Sequence, residues 1–156
     1  MRQAMRSDDG GRPRRPHGFT LIEMLVVGAI VALLASIAYP SYVDFIRRSK
    51  RTEAIALLME TMQSQERHYS RRNRYFSFTR EANPDRLRWH SAVHPSRSSH
   101  EIAARPCSGE TLVSCVELLA LPGTAAVDSS FFDPACGTLS LDSRGNRSPA
   151  SPQCWQ

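Results

Sequence analysis

The stretch GFTLIEMLVVGAIVALLASIAYP, residues 18–40, is the most apolar part of the 156-residue chain. Apart from Thr20, Glu23 and Ser36, it contains no polar side chain until its final tyrosine. A helix rises 1.5 Å per residue, so the stretch predicts a helix of about 30 Å, which just spans the apolar core of a bilayer. A carboxylate in such a segment costs about 2.5–3.5 kcal/mol near the bilayer centre and less near its surface. Glu23 is therefore expected to have a function and a partner.

The formal net charge of +5 is distributed unevenly along the chain. Residues 1–17 hold five arginines and two aspartates, a net charge of +3, directly before the apolar stretch. Because Lys and Arg remain on the cytoplasmic side of a membrane span, this tail predicts a cytoplasmic N-terminus. A nucleic-acid-binding arm is the second interpretation of the same tail.

Three interpretations of residues 18–40 are open on these grounds. The first is a permanent transmembrane helix. The second is a secretory signal cleaved after Ala38, because Ser36-Ile37-Ala38 places small residues at suitable offsets. The third is a helix that waits in the membrane and later packs against copies of itself.

A helical pattern continues beyond the apolar stretch. Apolar residues recur at steps of three and four, interrupted by Lys50, at Val43, Ile46, Ala54, Leu57, Leu58, Met62 and Tyr69. A stripe of this kind on an otherwise charged helix indicates one face packed against a core. We therefore predict one helix from about Phe19 to about Tyr69. Pro40 is expected to bend it, since its ring removes a backbone donor and crowds the preceding turn.

The rest of the chain predicts a loop followed by a small sheet. Residues 73–105 are rich in Arg, Ser, His and Pro and are expected to form a long mobile loop. Residues 112–121 and 138–141 are strand-like, and turns are expected at Pro122-Gly123 and at residues 142–146. The predicted fold class is α+β, in which the outer half of one long helix packs on a small antiparallel sheet.

All four cysteines, Cys107, Cys115, Cys136 and Cys154, lie in the last third of the chain. None forms a CxxC pair, so a zinc site is a weak interpretation. An even number beyond a membrane segment indicates two disulfides in an oxidising compartment. Four cysteines allow three pairings, and their spacing does not choose among them.

Gly18-Phe19-Thr20-Leu21-Ile22-Glu23 resembles the processing site of type IV prepilins, and Pro40 falls where that family has its helix-bending proline. Later segments are similar to the minor pilins called PilE: residues 51–54, 65–70 and 136–141, with Gly145 and Cys154-Trp155. The leader is longer and richer in Pro and Arg than is usual in the family. The additional pair Cys107 and Cys115 is a second departure.

The resemblance implies processing by a membrane peptidase that cuts between Gly18 and Phe19 and methylates the new amine of Phe19. This amine has an ordinary pKa near 8 and is mostly cationic at neutral pH. In the family, the counterpart of Glu23 meets the Phe19 amine of a neighbouring subunit, and an ammonium beside a carboxylate is a strong pair in a low dielectric.

The resemblance also implies a pilin fold and a domain plan. Residues 1–18 would be a cleaved leader, 19–40 the transmembrane and filament-core helix, 41–72 its amphipathic outer half, and 73–156 a disulfide-stapled β domain. The favoured pairs are Cys107–Cys115 and Cys136–Cys154, the second resembling the C-terminal disulfide loop of pilins.

The function that the resemblance implies is that of a minor subunit of a type IV pilus. The subunit would be inserted in the inner membrane with its leader in the cytoplasm and would later join a cell-surface pilus. Its partners would be other pilin subunits, the prepilin peptidase and methyltransferase, and the inner-membrane assembly platform. Pilus biogenesis, twitching motility, adhesion and DNA uptake are not separated by these residues, and no surface ligand is indicated.

A basic and aromatic segment follows the predicted helix. Its members are Arg71, Arg72, Arg74, Arg80, Arg86 and Arg88, with Tyr75, Phe76 and Trp89 among them. Such a mixture suits phosphate backbones or single strands, so DNA binding at Arg71, Arg72 and Arg74 stays open. A solvated loop is favoured over it.

Other functions have weaker support in the sequence. His90, His94 and His100 lie in an expected loop, so no metal site is predicted. No catalytic motif or glycine-rich phosphate loop is visible, so the sequence predicts neither an enzyme nor a cofactor. The alternatives to a pilin are a type II secretion pseudopilin and a membrane-anchored or secreted binding domain.

Overall fold

The computed structural model describes residues 18–83 and 87–156, so the predicted leader lies outside the described residues except for Gly18. It contains one α-helix and four strands: α1 Leu21–Arg72, β1 His100–Pro106, β2 Val116–Pro122, β3 Leu139–Asp142 and β4 Arg147–Ser148. The chain divides into two compact units between Pro40 and Ser41. The predicted α+β class, one long N-terminal helix with an antiparallel sheet, is confirmed.

Helix α1 has recognisable signals at both ends. At its start, the backbone N–H of Glu23 donates to Thr20 Oγ1 at 3.3 Å, which satisfies one of the amides left free in the first turn. At its end, Asn73 adopts a positive φ of 51° and donates its N–H to the carbonyl of Tyr69 at 2.8 Å. A left-handed residue there closes the helix, and asparagine tolerates that conformation. Pro40 lies inside the helix, and its bend stays a prediction.

The sheet is a meander with the order β1-β2-β3-β4, in which all neighbours are antiparallel. Ile102 of β1 pairs with Ala120 of β2, which pairs in turn with Leu139 of β3. In β1 and β2, buried residues alternate with more exposed ones. Because successive side chains of a strand point to opposite faces, one face of the sheet is apolar and covered.

The stripe predicted on the outer half of α1 contributes to the core. Ala54, Leu57 and Leu58 are at most 2% exposed and belong to one buried cluster with side chains of the sheet. The sheet supplies Ile102, Ala104, Val116, Leu118, Ala120 and Leu139. Burying a large aliphatic side chain contributes about 1.5–3 kcal/mol, so each leucine of this contact stabilises the second unit by roughly that amount.

The expectation of a loop over residues 73–105 is wrong in part. Strand β1 begins at His100, Phe78 forms a bridge with Ala104, and His90 forms one with Glu101. The side-chain amide of Gln65 donates to the carbonyl of Phe76 at 2.7 Å and accepts from its N–H at 3.1 Å. These bonds tie the segment to α1, and they depend on partners distant in sequence.

The predicted strands also shift at their ends. The strand expected over residues 112–121 starts at Val116, because the backbone between the bonded Cys107 and Cys115 turns back on itself instead. Strand β3 lies one residue later than predicted, and β4 was not predicted. The expected turn over 142–146 is present in the structure. Asp142 Oδ1 accepts from the amides of Arg144 and Asn146 at 2.9 and 2.8 Å.

Candidate functional site

The predicted processing site lies at the start of the described chain. Gly18, Phe19 and Thr20 precede α1, and Phe19 is 77% exposed. Thr20-Leu21-Ile22-Glu23 matches the capping-box pattern, in which a threonine starts a helix and a glutamate follows three residues later. An acid in the first turn also complements the positive end of the helix dipole. Glu23 thus occupies a position in the first turn that suits an acid, a pattern that the sequence analysis missed although it was readable.

The apolar half of α1 is not covered by any of the residues that the structure describes. Its best 18-residue window has a mean hydropathy of 2.5, and none of that window is buried. The large side chains from Leu21 to Tyr39 are between 49% and 78% exposed. The polar Ser36 is satisfied locally, since its hydroxyl donates to the carbonyl of Leu33 at 2.7 Å. By length and composition this helix is able to cross a membrane, and its surface requires lipid or other apolar helices around it.

A basic surface surrounds the C-terminal end of α1. Arg71 and Arg72 occupy the last turn, Arg74 follows after Asn73, and Arg67 lies one turn earlier; all four arginines are exposed. None pairs with a carboxylate within residues 18–83 and 87–156. A cavity of about 380 Å³ opens there, lined by Ser64, Arg67, His68, Arg71, Arg72, Phe76 and Leu87. Cations in the last turn also stabilise the helix through its dipole.

Among the aromatic residues of the same segment, Tyr75 is not free for stacking, whereas Phe76 and Trp89 are partly exposed. Tyr75 is 7% exposed, and its hydroxyl donates to Glu66 Oε1 at 3.0 Å. Phe76 and Trp89 pack against the core cluster.

The other arginines of the segment differ from Arg71, Arg72 and Arg74. Arg80 pairs with Glu81 at 3.1 Å and Arg88 with Glu60 at 3.6 Å, while Arg86 lies outside the described residues. The basic surface thus has one partly exposed aromatic ring beside it, Phe76, which lines the same cavity.

Both disulfides lie in the second unit, outside the apolar helix. Cys107 bonds to Cys115 across the connection between β1 and β2. Cys136 bonds to Cys154, which joins the segment before β3 to the C-terminal turn. Each closes a short loop and contributes roughly 2–4 kcal/mol by restricting the unfolded chain.

The three candidate histidines are not gathered into a metal-binding group within the described part of the chain. His90 Nδ1 lies 2.7 Å from the carbonyl oxygen of Ala92. His94 is exposed, whereas His100 is fully buried.

A buried polar cluster links α1 to the distant end of the chain. Arg51 Nε and Nη2 donate to the two carboxylate oxygens of Asp133 at 2.8 and 2.9 Å, and Nη1 donates to the carbonyl of Gln153 at 3.0 Å. His100 Nδ1 lies 2.8 Å from Ser99 Oγ, and the ring packs 5.2 Å from that of Phe131. Sequence reasoning missed this cluster. Its one signal was that Arg51 lies three and seven residues before Ala54 and Leu58, on the buried face of the helix.

Comparisons with known protein families find matches to both the apolar half of α1 and the unit that follows it. Residues 40–140 match the family model described as type IV minor pilin ComP, DNA uptake sequence receptor. Residues 13–39 match the prokaryotic N-terminal methylation motif. The first match covers well over half of the chain, and the second contains Gly18, Phe19 and Glu23.

Individual relatives are also pilins. The chain is 42% identical over 67 residues to the type IV major pilin protein PilA of Myxococcus xanthus, covering 43% of this chain and 30% of that one. It is 52% identical over 40 residues to the fimbrial protein EcpC of Eikenella corrodens, 26% of each chain. These alignments thus span less than a third of each curated relative.

A solved structure is also similar, that of a type IV pilin from Shewanella oneidensis. It is 31% identical, with a TM-score of 0.47 over 70% of this chain and 98% of that one. The similarity to PilE-like minor pilins and the family match point the same way: this chain is a type IV pilin and belongs to the ComP family of minor pilins.

Proposed function

We propose that this chain is a minor subunit of a type IV pilus, made as a precursor and cut between Gly18 and Phe19. The observation that carries the proposal is the uncovered apolar half of α1, which begins directly after the matched processing motif. Such a surface suits a subunit that is held in the inner membrane and then moves into a bundle of like helices. Its partners are the prepilin peptidase, the assembly platform and other pilin subunits.

The N-terminus of the protein purified from membranes tests the processing step. Mass spectrometry is expected to find a chain that starts at Phe19 and carries one methyl group on its amine. A start at Tyr39, from secretory cleavage, or at Met1, from an uncut anchor, would contradict the proposal. A Gly18→Ala/Phe19→Ala variant, expected to stay at its precursor mass, is the matched control for specific cleavage.

Glu23 is proposed to pair with the Phe19 amine of a neighbouring subunit during assembly. Unit charges 4 Å apart interact by about 4 kcal/mol at an effective dielectric constant of 20. Glu23→Ala is therefore expected to insert normally into the membrane but to lower the amount of this subunit in sheared pili by roughly tenfold or more, since 1.4 kcal/mol corresponds to tenfold.

The capping box supplies the control for this experiment. Glu23→Gln keeps a side chain that suits the capping box beside Thr20 but removes the charge. If charge pairing matters, both variants fail to enter pili, as measured by quantitative immunoblotting of sheared pili against membranes. Normal incorporation of Glu23→Gln would reduce the role of Glu23 to starting the helix.

Binding of DNA is a second candidate function. The description of the matched family favours it, and so does the basic surface of Arg67, Arg71, Arg72 and Arg74, whose guanidinium groups have no acid partner in the described structure. Because Tyr75 is buried, the proposal is contact with phosphates of a duplex rather than stacking of single-stranded bases.

Duplex binding at several salt concentrations tests this candidate. Replacing Arg71, Arg72 and Arg74 together with Gln is expected to weaken binding. The slope of log K against log salt should become shallower by about 0.9 for each phosphate that the variant no longer neutralises.

A triple change at Arg80, Arg105 and Arg144 removes the same charge from exposed arginines that have carboxylate partners, so it is the matched control. Equal weakening in the two triple variants would mean that only net charge matters, and the surface at the end of α1 would not be the binding site.

A further inference from the structure

A second surface of the molecule lies just beyond the apolar stretch and is not used by the site above. Tyr42, Phe45 and Phe132 are 63%, 67% and 70% exposed, although each carries a large aromatic ring. Arg47 lines a cavity with Tyr42 and Phe132, and Arg48 lines a separate one with Phe45. We propose that these five residues form an interfacial collar that sits in the phospholipid headgroup layer while the subunit waits in the membrane. This inference rests on the proposed membrane insertion of residues 19–40.

The rings are spaced to match the headgroup layer. Tyr42 and Phe45 follow residue 40 by two and five positions, which is about 3 and 8 Å of helical rise. The polar layer on each side of a bilayer is about 5–8 Å thick, from the difference between its total and apolar thickness. Tyr and Trp are enriched at that level, which favours this position for Tyr42, and Phe45 and Phe132 would remove exposed apolar ring surface from water there.

Phe132 brings a second element of the fold to the same level. It comes from the connection between β2 and β3 and lines a cavity of about 260 Å³ together with Tyr42, Val43 and Ile46. Its neighbour Phe131 is 8% exposed and packs under Lys50 Nζ, 5.0 Å from the ring centre. Burial of Phe131 fixes the backbone there, so the exposure of Phe132 follows from the fold and not from a loose chain end.

The charges around the collar leave one cation for a phosphate. Three acids are each matched with a base: Asp44 with Arg47 at 3.2 Å, Asp128 with Lys50 at 3.1 Å, and Asp133 with Arg51 at 2.8 Å. Arg48 is exposed and has no carboxylate partner in residues 18–83 and 87–156.

The direction of helical side chains brings the two arginines towards the lipid. Because Cα–Cβ bonds tilt towards the helix N-terminus, Arg47 and Arg48 lean back towards the apolar stretch. Arg48 therefore reaches a lipid phosphate, and Arg47 assists by sharing its charge between Asp44 and the headgroups. A duplex would find one unpaired cation here, so lipid is the favoured occupant.

Tryptophan quenching in nanodiscs tests the collar with the full chain. Phe132→Trp places a reporter in the collar, and Val113→Trp is the matched control. Val113 is 59% exposed and follows Leu112, whose carbonyl accepts from the amide of Tyr75 at the far end of the unit. In phosphatidylcholine discs with a nitroxide on the headgroup, we expect the added quenching in Phe132→Trp to be at least about twice that in Val113→Trp, because only interfacial rings reach the label.

Charge removal separates the arginines from the rings. In the Phe132→Trp background, Arg47→Gln/Arg48→Gln is expected to reduce quenching of the collar reporter. Arg71→Gln/Arg72→Gln, a pair at the other end of the outer helix, leaves it unchanged. Excess inorganic phosphate is expected to have no effect, since the bound group belongs to the membrane. Equal quenching of the collar and control reporters would overturn the collar, and so would quenching abolished by free phosphate.

Two further results would assign the surface to another occupant. Quenching of the collar reporter that depends on the number of copies in each disc would indicate a second subunit. Duplex binding that is abolished without Arg47 and Arg48 but kept without Arg71 and Arg72 would indicate DNA. Co-migration with discs separates the two proposals: a chain that fails to co-migrate contradicts the membrane insertion itself. A chain that co-migrates without a contrast between the two reporters contradicts the collar alone.

Discussion

Replacing Asp133 with alanine is expected to lower the free energy of unfolding by about 3–5 kcal/mol, the usual cost of leaving one partner of a buried ion pair. The side chains of Arg51 and Asp133 are 6% and 1% exposed, and two parallel hydrogen bonds of 2.8 and 2.9 Å join them. Without Asp133 the guanidinium group stays buried and stays charged, because arginine does not lose its proton in proteins. The carbonyl of Gln153 alone does not balance that charge.

Two matched variants separate this effect from a general weakening of side-chain packing. Glu117→Ala breaks the ion pair between Glu117 and Arg105, in which the shortest N–O distance is also 2.8 Å but the arginine is 61% exposed. This change should lower the free energy of unfolding by less than about 1 kcal/mol. Arg51→Met/Asp133→Leu replaces the whole pair with apolar groups and is expected to recover most of the stability.

The measurement is urea unfolding at pH 7 with both disulfides intact. A decrease below about 1 kcal/mol for Asp133→Ala would mean that water enters and solvates Arg51, which the low exposure of the pair argues against.

The predictability of the fold follows the range of the interactions that make each element. Helix α1 was predictable because its apolar stripe repeats over many turns, and each turn adds to the same signal. Strand β1 was not predictable, since it begins with a histidine and ends with Arg105 and Pro106. Only three of its residues face the core, so the alternation of buried and exposed side chains is short. His100 occupies a fully buried position in β1, and histidine is less often fully buried than the aliphatic residues that mark a strand.

The candidate site divides in the same way. The processing motif and the capping box are local patterns, readable between Gly18 and Glu23. The pair of Arg51 and Asp133 joins residues 82 positions apart, and no local pattern selects one aspartate from the others at that distance.

The segments that resemble PilE have structural roles in this fold. Arg51 holds Asp133, and Gln65 holds the backbone of Phe76 with both ends of its amide. Each bond joins the outer half of α1 to a segment that lies outside the helix, within the second unit. A sequence pattern alone does not identify these bonds, because the partners lie elsewhere in the chain.

The second large effect is a decrease of stability in weak acid. His100 is fully buried, and its Nε2 has no hydrogen-bond partner in the described part of the chain. Burial lowers the pKa of His100 from 6.5 to about 4; the nearby charge of Asp133 opposes this shift, while Arg51 and Lys50 add to it. At neutral pH the ring is therefore uncharged in the folded protein.

The sign of the effect follows from proton uptake. Between pH 6.5 and pH 4 the unfolded chain binds a proton at His100 and the folded chain does not, so stability falls as the pH falls. The expected decrease is about 2 kcal/mol by pH 5 and approaches about 3 kcal/mol near pH 4, since each unit of pKa difference corresponds to about 1.4 kcal/mol.

The carboxylates with lowered pKa values act at lower pH. For Asp128 the causes are the hydrogen bond from Ser130 and then that from Lys50, and the pKa lies below its ordinary value of 3.8. Such a group ceases to stabilise the fold only as the pH falls below about 4. The decrease of stability expected between pH 6.5 and pH 4 is therefore assigned to His100 and not to Asp128.

His100→Gln removes the titrating ring, and the variant is expected to unfold with nearly the same free energy at pH 7 and pH 5. His94→Gln, a change at an exposed histidine, is the matched control and should keep the full acid sensitivity. Urea unfolding at the two pH values measures both. If His100→Gln keeps the acid sensitivity, the proton enters elsewhere, and the buried ring is not the group that responds. If the sensitivity disappears only in His100→Gln, the same buried cluster that holds Asp133 against Arg51 also makes the second unit sensitive to weak acid.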